Sequence, residues 1–388
     1  MKKYQSVNYL VSRLVSLKNL TSLLLNMLLK MVHYLILSPG LTPKPKILTK
    51  TFNNRRPLFW LAALSSSILA IILLPAIALA APPSPLDPAS EAAKEINRLY
   101  QITLGIAAVI FVIVEALLIY AVLRYRRKET DFIPRQIHGS TALEIAWTVI
   151  PALILITLFS LMVGTMRDIA KPETTTMQIN VVGHQWWWEF QYPDQGFVTA
   201  NELRIPVGEA IKVEVSSVDV IHSFWAPQLN GKMDAIPGQT NVTWLQADEA
   251  GEYQGFCTEL CGAQHAKMTF LVIAQPRAEF DQWVAAQKAA PVTPQTELAT
   301  RGQQIFQQNA CIGCHTIEGI SVGKIGPNLT HFGSRQKIAG LIELANTPEN
   351  VRAWISDPQA LKPLNQMPNL YLSQEDMNAL VEYLTSLQ

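Results

Sequence analysis

Twelve residues in the second half of the chain, Cys257 to Met268, constrain the fold more than any other segment. They hold two thiols, an imidazole and a thioether, and a second imidazole, His222, lies upstream. Soft sulfur donors beside imidazole select copper over hard, oxygen-preferring cations. Zinc accepts the same two cysteines and two histidines, but the thioether of Met268 and the crowding of both sulfurs favour copper. A Cys-x3-Cys disulfide is the alternative, and it leaves the placing of His265 and Met268 unexplained.

A second cofactor motif, Cys311-Ile-Gly-Cys314-His315, lies nearer the C-terminus. A C-x-x-C-H run is typical of covalent c-type haem attachment, in which both thiols form thioethers and the histidine is the proximal iron ligand. Methionine is a common second axial ligand, and Met367 is predicted to fill that position. Met377 lies in an amphipathic stretch, so we expect it to pack in a core. A thioredoxin-like use of the two thiols is the weaker alternative.

The bulk composition indicates an exported membrane protein. A chain of 388 residues has room for two or three domains. Hydrophobic residues make up 49% of it, which suggests membrane segments, and a net charge of +1 implies no nucleic-acid partner. All four cysteines belong to the two motifs. None is left for a structural disulfide, and because both sites require assembly outside the cytoplasm, we expect an export route.

Residues 1–80 are predicted to be a targeting region. An apolar run at 58–80 follows two arginines and ends in Ala78-Leu-Ala80, a pattern typical of a signal peptide and its cleavage site. Retention of the run as a membrane anchor is the alternative. The segment before it is long for such a peptide, which makes Met27 or Met31 candidate initiators.

Residues 81–171 are predicted to form a transmembrane hairpin. Its two apolar spans, about 101–123 and 143–166, each exceed the roughly 20 residues that cross a bilayer. A basic cluster, 124–128, lies between them and should stay cytoplasmic. Both ends of the hairpin therefore face outside, and the two metal motifs are predicted on the periplasmic or extracellular side.

The rest of the chain divides into a β-rich and a helical region. From 172 to 276, short β-branched and aromatic segments separated by turns predict an antiparallel sandwich or barrel. A linker of small residues and prolines is predicted at 277–296. Helical patterns in 297–388 predict a compact all-α domain around the C-x-x-C-H run, with His331 expected at the surface. The helices are expected at 297–309, 348–356 and 373–387.

Several motifs together resemble one family. The spacing Cys-x-Glu-x-Cys-x3-His-x2-Met resembles the binuclear CuA centre of haem–copper oxidase subunit II. The strings Gly183-His-Gln-Trp-Trp-Trp-Glu-Phe and Leu-Glu144-Ile-Ala-Trp-Thr-Val-Ile-Pro are similar to further signatures of that subunit, and Gly326-Pro-Asn-Leu resembles class I cytochromes c. The chain therefore resembles subunit II of caa-type cytochrome c oxidases. This implies a cupredoxin sandwich between the hairpin and a fused cytochrome c domain.

The resemblance implies a complete ligand set for two copper ions. Both thiolates bridge the coppers, each imidazole caps one of them, the thioether binds one weakly, and a backbone carbonyl binds the other. The implied ligands are His222, Cys257, the carbonyl of Glu259, Cys261, His265 and Met268.

Two more residues gain roles from the resemblance. Trp186 would lie over CuA and receive the electron, and Glu144 would stand at the mouth of a proton-uptake path into the catalytic subunit. A glutamate solvated by lipid headgroups is the alternative for Glu144. One strand is predicted to carry Trp186, Trp187 and Trp188, so that the first and third point to one face and the second to the other.

The function that the resemblance implies is electron input to an oxidase in the bacterial plasma membrane. Electrons would pass from the fused haem through CuA to subunit I, whose haem A-type and CuB site reduces oxygen to water with proton translocation. Subunit III is a further expected partner, and a cytochrome c or a bc-type complex is the expected donor. The oxygen-reducing site would lie on another chain.

Two other functions remain open at this point. A CuA-containing nitric oxide reductase would use a similar electron-input module, whereas the nitrous oxide enzyme needs a His-rich domain that seven histidines do not supply. A non-enzymatic membrane copper carrier needs no fused haem, so the C-x-x-C-H motif disfavours it.

Overall fold

The computed structural model describes residues 84–126, 139–170 and 174–388. The predicted targeting region, 1–80, lies outside these residues, as does the end of the basic cluster between the two spans. Numbering of helices and strands below follows the chain through the described residues.

Two long helices begin the described chain. Helix α1 is Glu91–Arg124 and helix α2 is Thr141–Ile169. Ser90 caps α1 by accepting from the amide of Ala93, which satisfies one of the free donors of the first turn. At 1.5 Å per residue both helices exceed the roughly 30 Å thickness of a bilayer core. Their most apolar windows have mean hydropathies of 2.9 and 2.3 and are unburied within this chain, which fits contact with lipid.

Two polar contacts tie the helices to the folded domain that follows. Lys94 in the second turn of α1 forms an ion pair of 2.7 Å with Asp248. The indole Nε1 of Trp244 donates to the carbonyl of Ile169 at the end of α2, at 2.6 Å. Both contacts lie at the same end of the hairpin, so the opposite end, near Glu144, is about 35–40 Å away along α2.

A β-sandwich domain of two five-stranded sheets follows the hairpin. The first sheet has the order β3-β2-β1-β5-β8 and the second β4-β10-β9-β6-β7. Alternate residues are buried along β5, as expected for a strand with one face in the core. The strands are β1 Met177–His184, β2 Trp187–Tyr192, β3 Phe197–Ala200, β4 Glu202–Pro206, β5 Ile211–Ser217, β6 His222–Trp225, β7 Met233–Ala235, β8 Asn241–Leu245, β9 Gly251–Cys257 and β10 Thr269–Gln275.

The sheets are mixed rather than purely antiparallel, which corrects the sequence-based expectation. β1 pairs with β5 in parallel, and β4 pairs with β10 in parallel. Several strands separate the members of each pair along the chain, and β4 belongs to the sheet opposite β3. Because the chain changes sheets between the partners, a local strand pattern does not determine their relative direction.

Aromatic side chains fill the space between the sheets beside the metal motif. Trp188, Phe190 and Phe270 are fully buried, and Phe224 is nearly so. Phe224 stacks on Phe270 with ring centroids 4.5 Å apart, and Trp188 meets both edge-on. Such pairs contribute about 0.5–1.5 kcal/mol each beyond area burial. The cluster packs against β6, which begins with the predicted copper ligand His222.

The predicted linker, 277–296, begins with a helix. Helix α3, Arg277–Lys288, buries Phe280 and packs Trp283 against Tyr192 in the sandwich core. This helix therefore belongs to the β-sandwich domain, and only 289–296 lacks regular structure. Phe280 and Trp283 are three positions apart and therefore share one helical face. This helical pattern was missed because the small residues and prolines that follow it indicated a linker.

The C-terminal region is a helical domain, as predicted, with two added β-hairpins. Phe306 and Tyr383 pack edge-on where its first and last long helices meet. His331 is 7% exposed and its Nδ1 lies 3.0 Å from the carbonyl of Gln388, so the expectation of a surface position was wrong. The helices are α4 Glu297–Gln308, α5 Cys311–Cys314, α6 Pro348–Ser356, α7 Pro358–Leu361 and α8 Gln374–Ser386, and the hairpins pair β11 Thr316–Ile317 with β12 Ser321–Val322 and β13 Lys337–Ile338 with β14 Leu341–Ala345.

Candidate metal centres

The first centre is built from one strand start and one loop. His222 begins β6, Cys257 ends β9, and the other sequence-predicted copper ligands lie in the loop from β9 to β10. The amide of Cys257 donates to the carbonyl of Met268 at 3.0 Å, which closes the base of this loop. A 3-10 turn at His265–Lys267 returns the chain to β10. The structure thus places the metal loop between the last two strands of the sandwich.

All six predicted copper donors converge at one point. Both cysteines are free, with their Sγ atoms 3.7 Å apart, well beyond the 2.05 Å of a disulfide. That alternative is wrong for this structure. The carbonyl of Glu259 lies 3.2 Å from Cys257 Sγ. The remaining separations are 3.8 Å from Cys257 Sγ to His222 Nδ1, 3.7 Å from Cys261 Sγ to His265 Nδ1, and 3.8 Å from Cys261 Sγ to Met268 Sδ.

These separations and the thiol pKa values fit a metal site. Two donor atoms that each bind the same ion at roughly 2.0–2.3 Å lie about as far from each other as the 3.7–3.8 Å separations of these donors. The contact between the two thiols lowers the pKa of Cys257 to about 3, with His222 adding to the effect. The same contact and burial raise the pKa of Cys261. Because two adjacent thiolates repel each other, both ionise together only beside a cation.

Asp219 orients one of the copper donors, and sequence reasoning missed it. Its Oδ1 lies 2.8 Å from His222 Nε2, which leaves Nδ1 directed at Cys257. A carboxylate on the second imidazole nitrogen is the usual support of a metal-bound histidine. Burial opposes protonation of His222, but Asp219 and Cys257 outweigh it and its pKa is raised. The sequence does show an acidic residue three positions before His222, and this spacing could have indicated a carboxylate partner for the imidazole.

Gly183 explains why the first hairpin can lie against the copper donors. A Cβ at this position would stand 2.7 Å from Cδ2 of His222, far inside van der Waals contact. The imidazole is fully buried and has no room to move away. Glycine is therefore required here for close approach between β1 and the ring.

Trp186 lies in a turn, which corrects the prediction that all three tryptophans share a strand. β1 ends at His184 and β2 begins at Trp187, so Trp186 lies in the connecting turn. Its indole Nε1 donates to the carbonyl of Cys261 at 3.0 Å. Trp188 is buried edge-on against His222, and Trp187 stacks on His184 at 4.0 Å. The conformation of the turn, rather than the alternation of side chains along a strand, therefore places Trp186 against the metal loop.

The second centre is a cleft in the helical domain of about 1250 Å³, including the solvent at its mouth. Cys311, Cys314, His315 and Met367 all line it, together with apolar side chains such as Trp354. The α5 turn holds both thiols on one side. The structure thus brings together all four residues predicted to hold the haem, and the size and apolar lining fit that group.

His315 is oriented for an iron ligand. Its Nδ1 lies 2.9 Å from the carbonyl of Pro327, so the other ring nitrogen is available to a metal. A Cβ at Gly326 would stand 2.5 Å from His315 Cε1, so the backbone packs directly on the ring. Burial lowers the pKa of His315, which favours the neutral imidazole that metals bind.

Met367 and Met377 occupy different environments. Met367 lines the cleft, and its amide donates to Asn365 Oδ1 at 2.7 Å while its carbonyl accepts from Gln359 at 2.9 Å. Met377 is 6% exposed and packs in the core of α8. Only Met367 lines the cleft opposite the C-x-x-C-H residues.

The two predicted centres share a boundary. Gln185, Trp186 and Trp187 of the β-sandwich domain also line the cleft in the helical domain. Within the described residues, both domains belong to one compact unit. Trp186 therefore hydrogen-bonds to the copper loop through its indole N–H and is also one of the residues that line the cleft.

Glu144 lies far from both centres. It occupies the first turn of α2, where a carboxylate interacts favourably with the helix dipole. Its side chain is exposed within this chain, as is that of Glu115 in the middle of α1. No contact between either residue and the copper donors or the cleft is present among the described residues.

A membrane hairpin that carries a copper-type β-sandwich and a haem-type helical domain defines a membrane-bound electron-transfer protein. Three family models match its parts. The transmembrane domain of cytochrome c oxidase subunit II matches residues 86–163, the periplasmic domain of the same subunit matches 197–275, and cytochrome c matches 299–388.

Curated relatives agree with the domain matches. Cytochrome c oxidase subunit 2 of Alkalihalophilus pseudofirmus is 45% identical over 311 residues, which cover 78% of this chain and 90% of the relative. The Bacillus sp. strain PS3 subunit is 39% identical, covering 68% and 80%, and the Bacillus subtilis subunit is 36% identical, covering 79% and 92%. The chain belongs to the cytochrome c oxidase subunit II family.

Family membership decides among the functions left open by the sequence. The chain is an oxidase subunit with a CuA-type copper centre and a c-type haem, and it works beside the catalytic subunit I. The nitric oxide reductase and copper carrier alternatives are not supported by any of these matches. The predicted fold class, a membrane hairpin with cupredoxin-like and cytochrome c domains, is confirmed.

Proposed function

We propose that electrons enter this chain at the helical domain and leave it from the β-sandwich domain. The observation that carries this order is the position of Trp186, which touches the copper loop and lines the haem cleft. The proposed haem ligands are Cys311, Cys314, His315 and Met367, and the proposed copper ligands are His222, Cys257, the Glu259 carbonyl, Cys261, His265 and Met268.

The chain's own residues hold the donors still and keep water out. When bound, the two groups supply one-electron exchange, which delivers electrons for oxygen reduction on another chain. His222 and Met268 are fully buried, and Cys257 and Cys261 are 5% and 3% exposed. Asp219 and Gly183 fix the imidazole of His222 from two sides. Such a packed site changes little in shape between charge states, which favours rapid electron exchange.

The exit surface is proposed on the far side of the metal loop. Leu260, which follows Glu259, is 78% exposed, and Val218 and Ile221 beside Asp219 and His222 are 61% and 47% exposed. Apolar side chains at this density on a folded surface indicate a protein partner. We assign this surface to subunit I, with its haem A-type and CuB site.

Membrane placement and domain limits complete the proposal. The hairpin, 81–171, crosses the bacterial plasma membrane twice, with the copper domain, 172–276, and the haem domain, 297–388, on the periplasmic or extracellular side. The helix at Arg277–Lys288 extends the copper domain and shortens the linker. Glu144 then lies at the cytoplasmic end, where it suits a proton-path entrance. Subunit III and a cytochrome c or bc-type donor are the further proposed partners.

Rapid mixing of the purified oxidase complex with a small reductant tests the electron order. We expect the haem to be reduced before copper, and oxygen rather than nitric oxide to support turnover. In a Cys311→Ser, Cys314→Ser double variant, copper reduction by a cytochrome c donor should slow at least about tenfold, while the copper spectrum stays unchanged. Equal copper reduction rates with and without the haem would contradict the proposed order.

A further inference from the structure

Lys362 is a buried lysine at the junction of the two domains. It is 2% exposed, and its Nζ donates to the carbonyl of Trp186 at 2.7 Å and to the carbonyl of Ala339 at 2.8 Å. Trp186 belongs to the β-sandwich domain and Ala339 to the helical domain. The single side chain therefore bridges both domains at the residue through which electrons are proposed to pass.

The residues on either side of Lys362 also contact the copper loop. Lys267 Nζ donates to the carbonyl of Leu361, and Gln264 Nε2 donates to the carbonyl of Pro363, each at 2.6 Å. Three consecutive residues of the helical domain are thus bonded to the metal loop or to the turn that carries Trp186. We name the segment Leu361–Lys362–Pro363 the docking segment.

The docking segment is close in sequence to a proposed haem ligand. Met367 follows Lys362 by five residues, and Asn365 between them accepts from the amide of Met367 while its own amide donates to the carbonyl of Lys362 at 2.6 Å. A shift of the docking segment is therefore transmitted to the loop that carries Met367. The contact links the two ligand loops of the two centres.

A second set of contacts, at residues 336–340 around Ala339, holds the same orientation. The buried carboxylate of Glu202, on β4, accepts the backbone amides of Gln336 and Lys337 at 2.5 and 2.8 Å. Thr269 donates through its hydroxyl to the carbonyl of Gly340 at 2.7 Å. Two separate sets of polar contacts restrict rotation of one domain on the other, which a single set does not.

Burial of a lysine needs a physical reason. Ordering its side chain costs conformational entropy, and burying an amine without partners costs still more. At Lys362 the amine has two carbonyl acceptors, and a neutral amine carries two N–H groups. Burial lowers the pKa of this lysine to about 7, so the neutral form that matches the two acceptors is accessible.

We propose that Lys362 is a positioning residue that keeps the haem cleft docked against Trp186 during turnover. The linker, 289–296, then serves as a tether, and the helical domain stays on the copper domain for both electron entry and electron transfer. Electron tunnelling falls steeply with distance, so a fixed contact maintains the rate. The role of Lys362 in electron transfer rests on the proposed route through Trp186, whereas its role in docking does not.

Three variants in the full oxidase complex test this assignment. Lys362→Met keeps the length of the side chain and removes the donor, while Lys362→Gln keeps two N–H donors without an amine. Lys288→Met, at an exposed lysine of α3, is the matched control. Hydrogen–deuterium exchange of the peptide that contains Gln336 and Lys337 reports docking, and rapid mixing reports haem-to-copper transfer.

We expect Lys362→Met to raise exchange at this peptide and to slow haem-to-copper transfer at least about tenfold, with both optical spectra unchanged. Lys362→Gln should restore most of the protection from exchange and most of the transfer rate, and Lys288→Met should change neither quantity. Wild-type exchange in Lys362→Met, or no recovery in Lys362→Gln, overturns the assignment. If the native chain shows no haem-to-copper transfer, the proposed electron order fails, and the exchange data alone decide the docking role.

Discussion

Trp186 donates its indole N–H to the carbonyl of Cys261 at 3.0 Å, so the proposed electron-entry residue is hydrogen-bonded to the backbone of a proposed copper ligand. The backbone carbonyl of Trp186 accepts from Lys362 of the helical domain. Gln185, beside it in the turn, donates to the same Cys261 carbonyl at 2.7 Å. One turn is therefore fixed from both domains, which gives the two centres a defined separation.

Replacing Trp186 by Phe should slow haem-to-copper electron transfer by at least about tenfold. The change removes the indole N–H that is bonded to the Cys261 carbonyl and reduces the ring in size, and it alters neither proposed ligand set. The haem and copper spectra should therefore stay as in the native complex. Rapid-mixing kinetics of the purified complex measure the rate.

Trp283→Phe is the matched control for Trp186→Phe. This indole packs on Tyr192 and Phe197 at the other side of the sandwich core and should leave the rate unchanged. Trp187 is a poorer control, because it also lines the cleft. Equal slowing in the Trp186 and Trp283 variants would mean that Trp186 acts only by packing.

Asp219→Asn should weaken copper binding by about 10–100-fold, the usual cost of losing a partner of a metal-bound histidine. The carboxylate fixes His222 Nε2 and also accepts the amide of Gln185 at 2.6 Å. Competition against a chelator, followed by the copper spectrum, measures the affinity. Asp281→Asn, at an exposed ion pair with Arg277, is the control, and identical affinities in both variants would remove Asp219 from the site.

Met367→Ala should abolish the sulfur-to-iron charge-transfer band and lower the haem potential, with covalent attachment intact. Met377→Ala should keep the band and instead lower the free energy of unfolding by about 2–5 kcal/mol, as for other buried methionines truncated in a core. Optical spectra and denaturant titrations separate the two effects. Loss of the band in the Met377 variant alone would show that the axial ligand had been misassigned.

The sequence was most informative where the ligands are close together along the chain. Cys257, Cys261, His265 and Met268 fall within one loop, so their spacing alone predicts that they meet. The C-x-x-C-H run is equally local. His222 is more distant, and its assignment came from the family resemblance before the structure brought it to Cys257.

Features that depend on contacts between distant segments were not predictable in the same way. The parallel pairing of β1 with β5 depends on how the chain changes sheets. Lys362 has no unusual sequence context, and only the packing of two domains buries it. The position of Trp186 depends on where β1 ends, because a strand one residue longer would have directed its indole differently.

Docking of the helical domain should strengthen as the pH rises from about 7 towards 10. Burial lowers the pKa of Lys362 to about 7, with Lys267 adding to the effect and Glu343 and Cys261 opposing it. In an undocked domain the lysine returns towards its ordinary value of 10.5. Between these values the undocked state binds one more proton, so docking gains up to about tenfold per pH unit. Below pH 7 Lys362 is protonated in both states, so this residue adds no further pH dependence.

Hydrogen–deuterium exchange of the peptide with Gln336 and Lys337, corrected for the intrinsic pH dependence of exchange, measures this effect. Protection should rise with pH in the native complex and stay flat in Lys362→Gln, whose amide does not titrate. The alternative explanation is that protection from exchange rises with pH throughout the protein, which would give the native complex and the Lys362→Gln variant the same dependence of protection on pH. A slope shared by the two proteins, or protection that falls as the pH rises, would contradict titration of Lys362 at the interface.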